Sequence, residues 1–178
     1  MCDLALRWVP AILLTLATPA LGNDSVYSKL ALEDCTIIDE YDGEEGGGSV
    51  AFICHGHDAI PLHVSEGDLR FSVVPLPKGY RGPIRFETLP AFNTLGETVE
   101  WRRNDKGEVI AIIQRWFTDT GDGKQGQVLV VTRVGADAVC HVAHIDALAR
   151  AAANDTAREI ADTRASAFRC GTDDILQR

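Results

Sequence analysis

The segment FICHGHDAIPLH, residues 52–63, contains one cysteine and three histidines. Neutral imidazole is a good ligand for zinc and copper. If the segment is a strand, His55 and His57 share one face, because side chains alternate across a strand. His63 then offers a third ligand. No established metal-binding spacing, such as H-E-x-x-H or C-x-x-C, is present. The favoured interpretation is a strand followed by a polar turn, and a zinc or copper site is the alternative.

A second histidine cluster, CHVAH, contains His141 and His144. Their spacing of three predicts opposite faces of a strand unless the segment bends, so at most one of them joins the metal site in place of His63. Motifs for other catalysis are absent from the sequence, including the G-x-S-x-G nucleophile elbow and a phosphate-binding glycine loop. The sequence therefore predicts no catalytic residue, and an enzyme is the less favoured class of protein.

Tryptophan and arginine side chains lie in two neighbouring segments, ETVEWRR and EVIAIIQRWF. Trp101 and Arg103 alternate onto one face of the first segment, and Arg115 lies in the second. Because Trp and Arg are enriched where partners bind, Trp101, Arg103 and Arg115 are the predicted binding residues. The favoured interpretation places Trp101 and Trp116 in the core and lets the arginines neutralise nearby acids such as Glu97 and Glu100.

The N-terminal segment indicates the compartment. Residues 1–22 have the features of a secretory signal peptide, in which Arg7 precedes an apolar run and Ala20 and Gly22 form a small-x-small cleavage site. That run is shorter than the roughly 20 residues that span a membrane. We therefore expect an exported chain, in the periplasm or secreted, that does not insert into a membrane after cleavage. The formal net charge of −9 argues against nucleic acid as a partner.

Four cysteines follow the signal peptide, and an even number in an exported chain predicts disulfides. Cys35 and Cys54 flank two segments that are joined by a glycine-rich turn, so their pairing closes a hairpin at its base. Cys140 ends a predicted strand and Cys170 follows a predicted helix. A bridge between Cys140 and Cys170 therefore ties that helix to the sheet.

The remaining sequence predicts a mostly β structure. EVIAIIQRWF and QVLVVTRV are apolar on both faces, which is typical of central strands covered on both sides. PAFNTLG predicts a short helical turn, and whether it lines a pocket is an open question. Segments rich in β-branched and aromatic residues predict strands at 35–41, 49–54, 60–65, 69–75, 84–88, 97–103, 108–118, 127–134 and 138–145.

Only one helix is predicted, at about residues 155–168. Thr156 and Glu159 have the spacing of a capping box, and Gly171 is a plausible stop. We expect residues 23–178 to form a single α+β domain with a mostly antiparallel, strongly curved sheet, either a half-barrel or a sandwich-like arrangement, on which this helix packs. The apolar face of the helix is formed by Ala157, Ile160, Ala161, Ala165 and Phe168.

The segments EGDLRFSV, FNTLGETVEWRR, CHVAHIDA and FRCG resemble small exported proteins of alphaproteobacteria that have no assigned activity. The resemblance covers most of the chain after the signal peptide. It implies a location in the periplasm but no activity and no catalytic or ligand-binding residues. We therefore expect a disulfide-stabilised periplasmic domain, monomeric or weakly dimeric, that binds a protein or a small ligand without a cofactor. The alternative is a metal-binding protein or metal-assisted hydrolase that uses His55 and His57 with zinc or copper.

Overall fold

The structure, a computed structural model, describes residues 22–43 and 47–178. The predicted signal peptide, apart from Gly22, lies outside the described residues. The described chain forms one α-helix, α1 (Ala153–Arg164), and short 3-10 helices at Leu32–Asp34 and Ala165–Ala167. Its strands are β1 (Asp24–Lys29), β2 (Thr36–Tyr41), β3 (Ser49–His57), β4 (Ile60–Gly67), β5 (Arg70–Pro75), β6 (Phe92–Arg103), β7 (Val109–Asp119), β8 (Gln125–Val134), β9 (Val139–Asp146) and β10 (Leu176–Gln177).

The strands form two separate sheets. A six-stranded sheet has the order β1-β6-β7-β8-β9-β10, and a four-stranded sheet has the order β2-β3-β4-β5. All pairs are antiparallel except β9 with β10. The predicted α+β class with mostly antiparallel strands is confirmed. The predicted strong curvature and half-barrel are wrong, because neither sheet is closed or strongly curled.

The six-stranded sheet has a separate hydrophobic core on each of its faces. Between the two sheets, Trp101 and Trp116 pack with Leu62 and Val64 of β4. On the opposite face, Ala111, Ile113 and Leu129 of the sheet pack against the helix, whose contacting residues include Ala157 and Ala161. The predicted two-sided burial of β7 and β8 is therefore confirmed, and the molecule has three layers.

The helix α1 begins at Ala153, two residues before the predicted start, and ends at Arg164. The predicted capping box does not form, because Ala152 is the N-cap and makes no side-chain hydrogen bond. Thr156 instead donates its backbone N–H to the Ala152 carbonyl at 3.0 Å. No helix among the described residues is long and apolar enough to cross a membrane. The predicted apolar face is buried at Ala157, Ile160, Ala161 and Ala165 and partly buried at Phe168.

The predicted strand at 84–88 is wrong. This segment lies between Pro83 and Pro90 and pairs with neither sheet. Side chains hold it instead, since the Ser72 hydroxyl donates to the Arg85 carbonyl at 3.4 Å and the His141 backbone N–H donates to Glu87 at 2.7 Å. Proline supplies no backbone N–H, so the flanking prolines disfavour a regular strand ladder here.

The segment PAFNTLG contains the start of β6 at Phe92, so the predicted helical turn is wrong. Two strands, β1 and β10, were also absent from the sequence prediction. The β1 segment, DSVYSK, has little strand periodicity of its own, and it becomes a strand by pairing with residues 98–103 of β6. The β10 segment is only two residues long and pairs with Ala143 and His144.

Both predicted disulfides are confirmed. Cys35 pairs with Cys54 across a separation of 19 residues, and Cys140 pairs with Cys170 across 30 residues. The first bridge lies where β2 and β3 meet, at the base of their hairpin. The second joins β9 to the segment that follows α1. Each bridge therefore fastens a peripheral element, β2 or the helix, to the more central strands.

Ion pairs also attach the helix to the six-stranded sheet. Arg102 on β6 is only 6% exposed and makes two hydrogen bonds to Asp162 of α1, at 2.9 and 2.6 Å. Arg158 of α1 donates to both oxygens of Glu100 on β6, at 2.7 and 3.1 Å. Such bidentate arginine–carboxylate pairs fix geometry as well as contributing energy. They set the position of α1 along β6.

Candidate ligand-binding cleft

An open cleft lies where β6, β7 and β8 meet the four-stranded sheet. Its volume is about 820 Å³, which falls within the range of small-molecule sites. Four phenylalanines line it, namely Phe52, Phe71, Phe92 and Phe117. Phe92 and Phe117 are 37% and 43% exposed. The cleft therefore presents aromatic surface from both sheets to solvent.

Asn93 fixes the junction between the two sheets at this cleft. Its backbone N–H donates to the Leu69 carbonyl at 3.0 Å, and its side-chain oxygen accepts from the Phe71 backbone N–H at 3.0 Å. Its amide nitrogen donates to Thr88 and to the Ala91 carbonyl, at 3.2 and 2.9 Å. Asn93 is 4% exposed. These bonds hold the start of β6 against β5, so the two walls of the cleft are joined by a residue whose polar groups are satisfied.

The charged residues among the described lining are both acidic, Glu66 and Asp119. Glu66 accepts a hydrogen bond from the Leu69 backbone N–H at 3.0 Å, and Asp119 accepts one from the Gly121 N–H at 2.7 Å. Arg70 stacks on the Phe92 ring, 5.2 Å from its centroid, but is not part of the lining. The cleft is therefore apolar with a negative character.

The predicted binding residues lie in three different surroundings. Trp101 is fully buried between the sheets, and its indole N–H donates to Ser28 at 2.8 Å. Arg103 pairs with Asp24 of β1, and this pair lowers the pKa of that carboxyl. Arg115 donates to Gln127 at 2.9 Å. The structure does not gather these three side chains into one patch, and a role for them in partner binding stays a prediction.

The histidines of the FICHGHDAIPLH segment are also in different surroundings. His55 is exposed, whereas His57 is half-buried beside Trp101 and lies 3.1 Å from Asp58. A β-bulge between Cys54 and His57 breaks the simple alternation expected for this strand. His63 is half-buried on β4, and burial lowers its pKa.

No group of three or more His, Cys, Asp or Glu side chains that could hold a metal ion is found in the part of the chain that the structure describes. A zinc or copper site at His55, His57 and His63 stays a prediction.

The second histidine pair does form a cluster. A bulge in the pairing of β8 with β9 leaves Val142 unpaired, so His141 and His144 lie on the same face, contrary to the simple alternation. His141 Nδ1 is 3.0 Å from His144 Nε2, and His144 Nδ1 is 3.2 Å from the Gln177 amide nitrogen. Burial, and secondarily the neighbouring His144, lowers the pKa of His141 to about 3. Burial also lowers the pKa of His144. Both rings are therefore neutral at neutral pH.

Sequence reasoning missed the cleft because its lining residues are far apart in the chain. Phe52, Phe71, Phe92 and Phe117 belong to four different strands. The open question about the segment around Phe92 and Asn93 was the only signal that pointed there. Both residues do line the cleft, as parts of a strand.

Comparison with protein-family models, curated proteins and solved structures gives no match to this chain.

Proposed function

We propose that the protein is an exported, non-catalytic binding domain whose cleft takes a small apolar molecule, either neutral or positively charged. The observation that carries this proposal is the lining of the cleft, in which four phenylalanines accompany Glu66 and Asp119 without a lysine or arginine among the described lining residues. Aromatic faces attract cations, and carboxylates favour them further. An anionic ligand would meet these two carboxylates and no cationic side chain among the described lining residues.

The proposal of an exported protein is supported by the two disulfides, which are compatible with an oxidising compartment. The periplasm is the specific location that we propose. The bridges also bear on binding, because the Cys35–Cys54 bridge fastens the sheet that supplies Phe52 and Phe71. A cleft between two fastened sheets is largely preformed, which lowers the entropic cost of binding.

A pair of fluorescent probes with the same aromatic body tests the proposal. N-phenyl-1-naphthylamine is neutral, and 1-anilinonaphthalene-8-sulfonate adds one negative charge to it. We expect the neutral probe to bind saturably at one site, and the sulfonated probe to bind at least about tenfold more weakly, which corresponds to about 1.4 kcal/mol. Titration of each probe followed by its fluorescence measures both affinities.

Matched variants locate the binding site. Phe117→Ala removes an aromatic side chain from the cleft, whereas Phe86→Ala removes a similarly exposed one that does not line it. We expect Phe117→Ala to lower the affinity for the neutral probe several-fold and Phe86→Ala to leave this affinity unchanged. Asp119→Asn should reduce the difference in affinity between the neutral and the sulfonated probe, because it removes a negative charge from the cleft. Equal weakening by both phenylalanine changes, or the absence of saturable binding, contradicts the proposal.

A further inference from the structure

The strand β2 leaves one edge of the four-stranded sheet open. Among the described strands it pairs only with β3, and all six of its residues are exposed. Three of these are large apolar side chains, Ile37, Ile38 and Tyr41, with exposures of 54%, 51% and 64%. An open strand edge carries unpaired backbone donors and acceptors, which are a template for an added strand. Exposed apolar side chains on that edge can pack against such a strand.

The surroundings of β2 are strongly acidic. Residues 30–69 contain ten Asp and Glu and no Lys or Arg, whereas the rest of the chain has sixteen acids and seventeen bases. None of the carboxylates that flank or belong to β2 forms an ion pair with another described residue. These exposed carboxylates are those of Glu33, Asp34, Asp39, Glu40 and Asp42.

The charge of this edge identifies the kind of strand that can add to it. Two copies of β2 placed side by side would bring like charges together across the pair, which is destabilising. A second copy of the chain is therefore disfavoured at this edge, and a basic strand is favoured.

We propose that β2 accepts an extended, lysine- or arginine-rich segment of another protein, which adds to the four-stranded sheet as a fifth strand. Backbone hydrogen bonds along β2 hold such a segment, and its cations face carboxylates such as Asp39 and Glu40. Its apolar side chains cover Ile37, Ile38 and Tyr41. This protein-binding edge is a second function, separate from the small-molecule cleft.

The probe is a fluorescein-labelled peptide with the sequence Lys-Val-Lys-Val-Lys-Val-Lys, capped at both ends. A second peptide replaces each lysine by glutamate. Two further peptides keep the lysines, and each carries N-methyl groups on the alternate residues that face one of its two edges. Anisotropy titrations with the purified full chain measure affinity, and hydrogen exchange with mass spectrometry reports on β2.

We expect the lysine peptide to bind and to slow exchange of the β2 amides. The glutamate peptide should show at least tenfold weaker binding. At least one of the two N-methylated peptides should also bind at least tenfold more weakly, because methylation of the pairing edge removes its N–H donors.

Two double variants separate the edge from general attraction between opposite charges. Asp39→Asn with Glu40→Gln removes two charges from β2, and Asp58→Asn with Asp68→Asn removes two from the hairpin turns of the same sheet. We expect the β2 double variant to bind the lysine peptide at least fivefold more weakly. The double variant in the hairpin turns should change the affinity for this peptide less than twofold. Equal weakening by the two double variants overturns the proposal.

Three other results also overturn it. If neither N-methylated peptide loses affinity, the peptide does not add as a strand. If the β2 amides that do not pair with β3 already exchange slowly without any peptide, another part of the chain covers the edge. If the chain alone forms a dimer in which β2 is protected, the occupant is a second copy.

Discussion

The six-stranded sheet and the four-stranded sheet differ in how much of each is covered. The six-stranded sheet packs against α1 on one face and against the other sheet on its second face. The four-stranded sheet contributes one face to the core, and all six residues of its edge strand β2 are exposed. Ion pairs such as Arg102 with Asp162 fasten the larger sheet to the helix, whereas the described acids around β2 form no ion pair with another described residue.

This difference separates the parts of the molecule that maintain the fold from those that present surfaces for binding. The larger sheet holds the two buried tryptophans and most of both cores. The smaller sheet supplies one wall of the cleft and the edge strand β2. A sheet that is covered on one face can expose polar and apolar groups on the other without losing its core contacts. The predictions below test this division, beginning with the largest expected effect.

Removal of either disulfide is expected to lower the free energy of unfolding more than any other change considered. We expect Cys140→Ser with Cys170→Ser to lower the free energy of unfolding by about 3.5 kcal/mol, and Cys35→Ser with Cys54→Ser by about 3 kcal/mol, because the longer loop loses more entropy when it is closed. Urea denaturation measures both values.

Hydrogen exchange then shows where each loss acts. Loss of the Cys35–Cys54 bridge should speed exchange in β2 and β3 far more than in β8. Faster exchange throughout β8 in that variant would show that the smaller sheet also holds the larger one together.

Substitutions of two neighbouring arginines on β6, Arg102 and Arg103, are expected to differ in their effect on stability. We expect Arg102→Ala to destabilise the protein by about 2 to 3 kcal/mol, because it leaves the carboxylate of Asp162 without its partner at a largely buried contact. Arg103→Ala breaks an exposed pair with Asp24, so little change in stability is expected. Thermal and urea denaturation of the two variants measure the contrast. Similar losses would contradict the view that the helix-facing pair holds the layers together.

The histidines predict a smaller, pH-dependent effect. The folded pKa of His141 is about 3, below the ordinary value of 6.5, so only the unfolded chain takes up this proton between those values. The contribution of His141 to the free energy of unfolding should therefore be fully present above about pH 6.5. It should decrease as the pH falls, by about 1.4 kcal/mol per pH unit for each such histidine. His144, whose pKa is also lowered by burial, adds to the same trend.

Urea midpoints between pH 7.5 and 5 measure this dependence. His141→Gln should reduce the slope of the free energy of unfolding against pH by the amount that one proton contributes. His63→Gln, on the less covered sheet, should flatten it less, because His63 is only half-buried. An unchanged slope in the His141 variant would contradict the assignment.

Local patterns in the sequence predicted several features correctly. The central strands β7 and β8 and the apolar face of α1 were confirmed, because each depends on spacing within a short segment. Both disulfide pairings were also confirmed, because the hairpin and the helix on which they depend both form. The capping box was wrong, since Ala152 rather than a polar side chain occupies the N-cap. The strand at 84–88 was wrong because side-chain contacts with Ser72 and His141 hold that segment outside the sheets.

The candidate sites depended far more on tertiary structure. Trp101 was a predicted binding residue, with a position in the core as the other interpretation, and the layering of the two sheets buries it between them. His141 and His144 share a face only because β9 bulges at Val142 against β8. The cleft joins residues from β3, β5, β6 and β7, and the sequence places these more than sixty positions apart at the extremes.

By itself, the sequence determined the strand and helix segments whose apolar periodicity is strong and the overall acidity of the chain. These follow from propensities and charges that each residue carries in any context. Only the tertiary structure decided that the strands divide into two sheets, that Asn93 joins them, and that β2 lies at the edge of its sheet. Strand order and burial arise from packing free energies shared among distant residues, and no single segment contains that information.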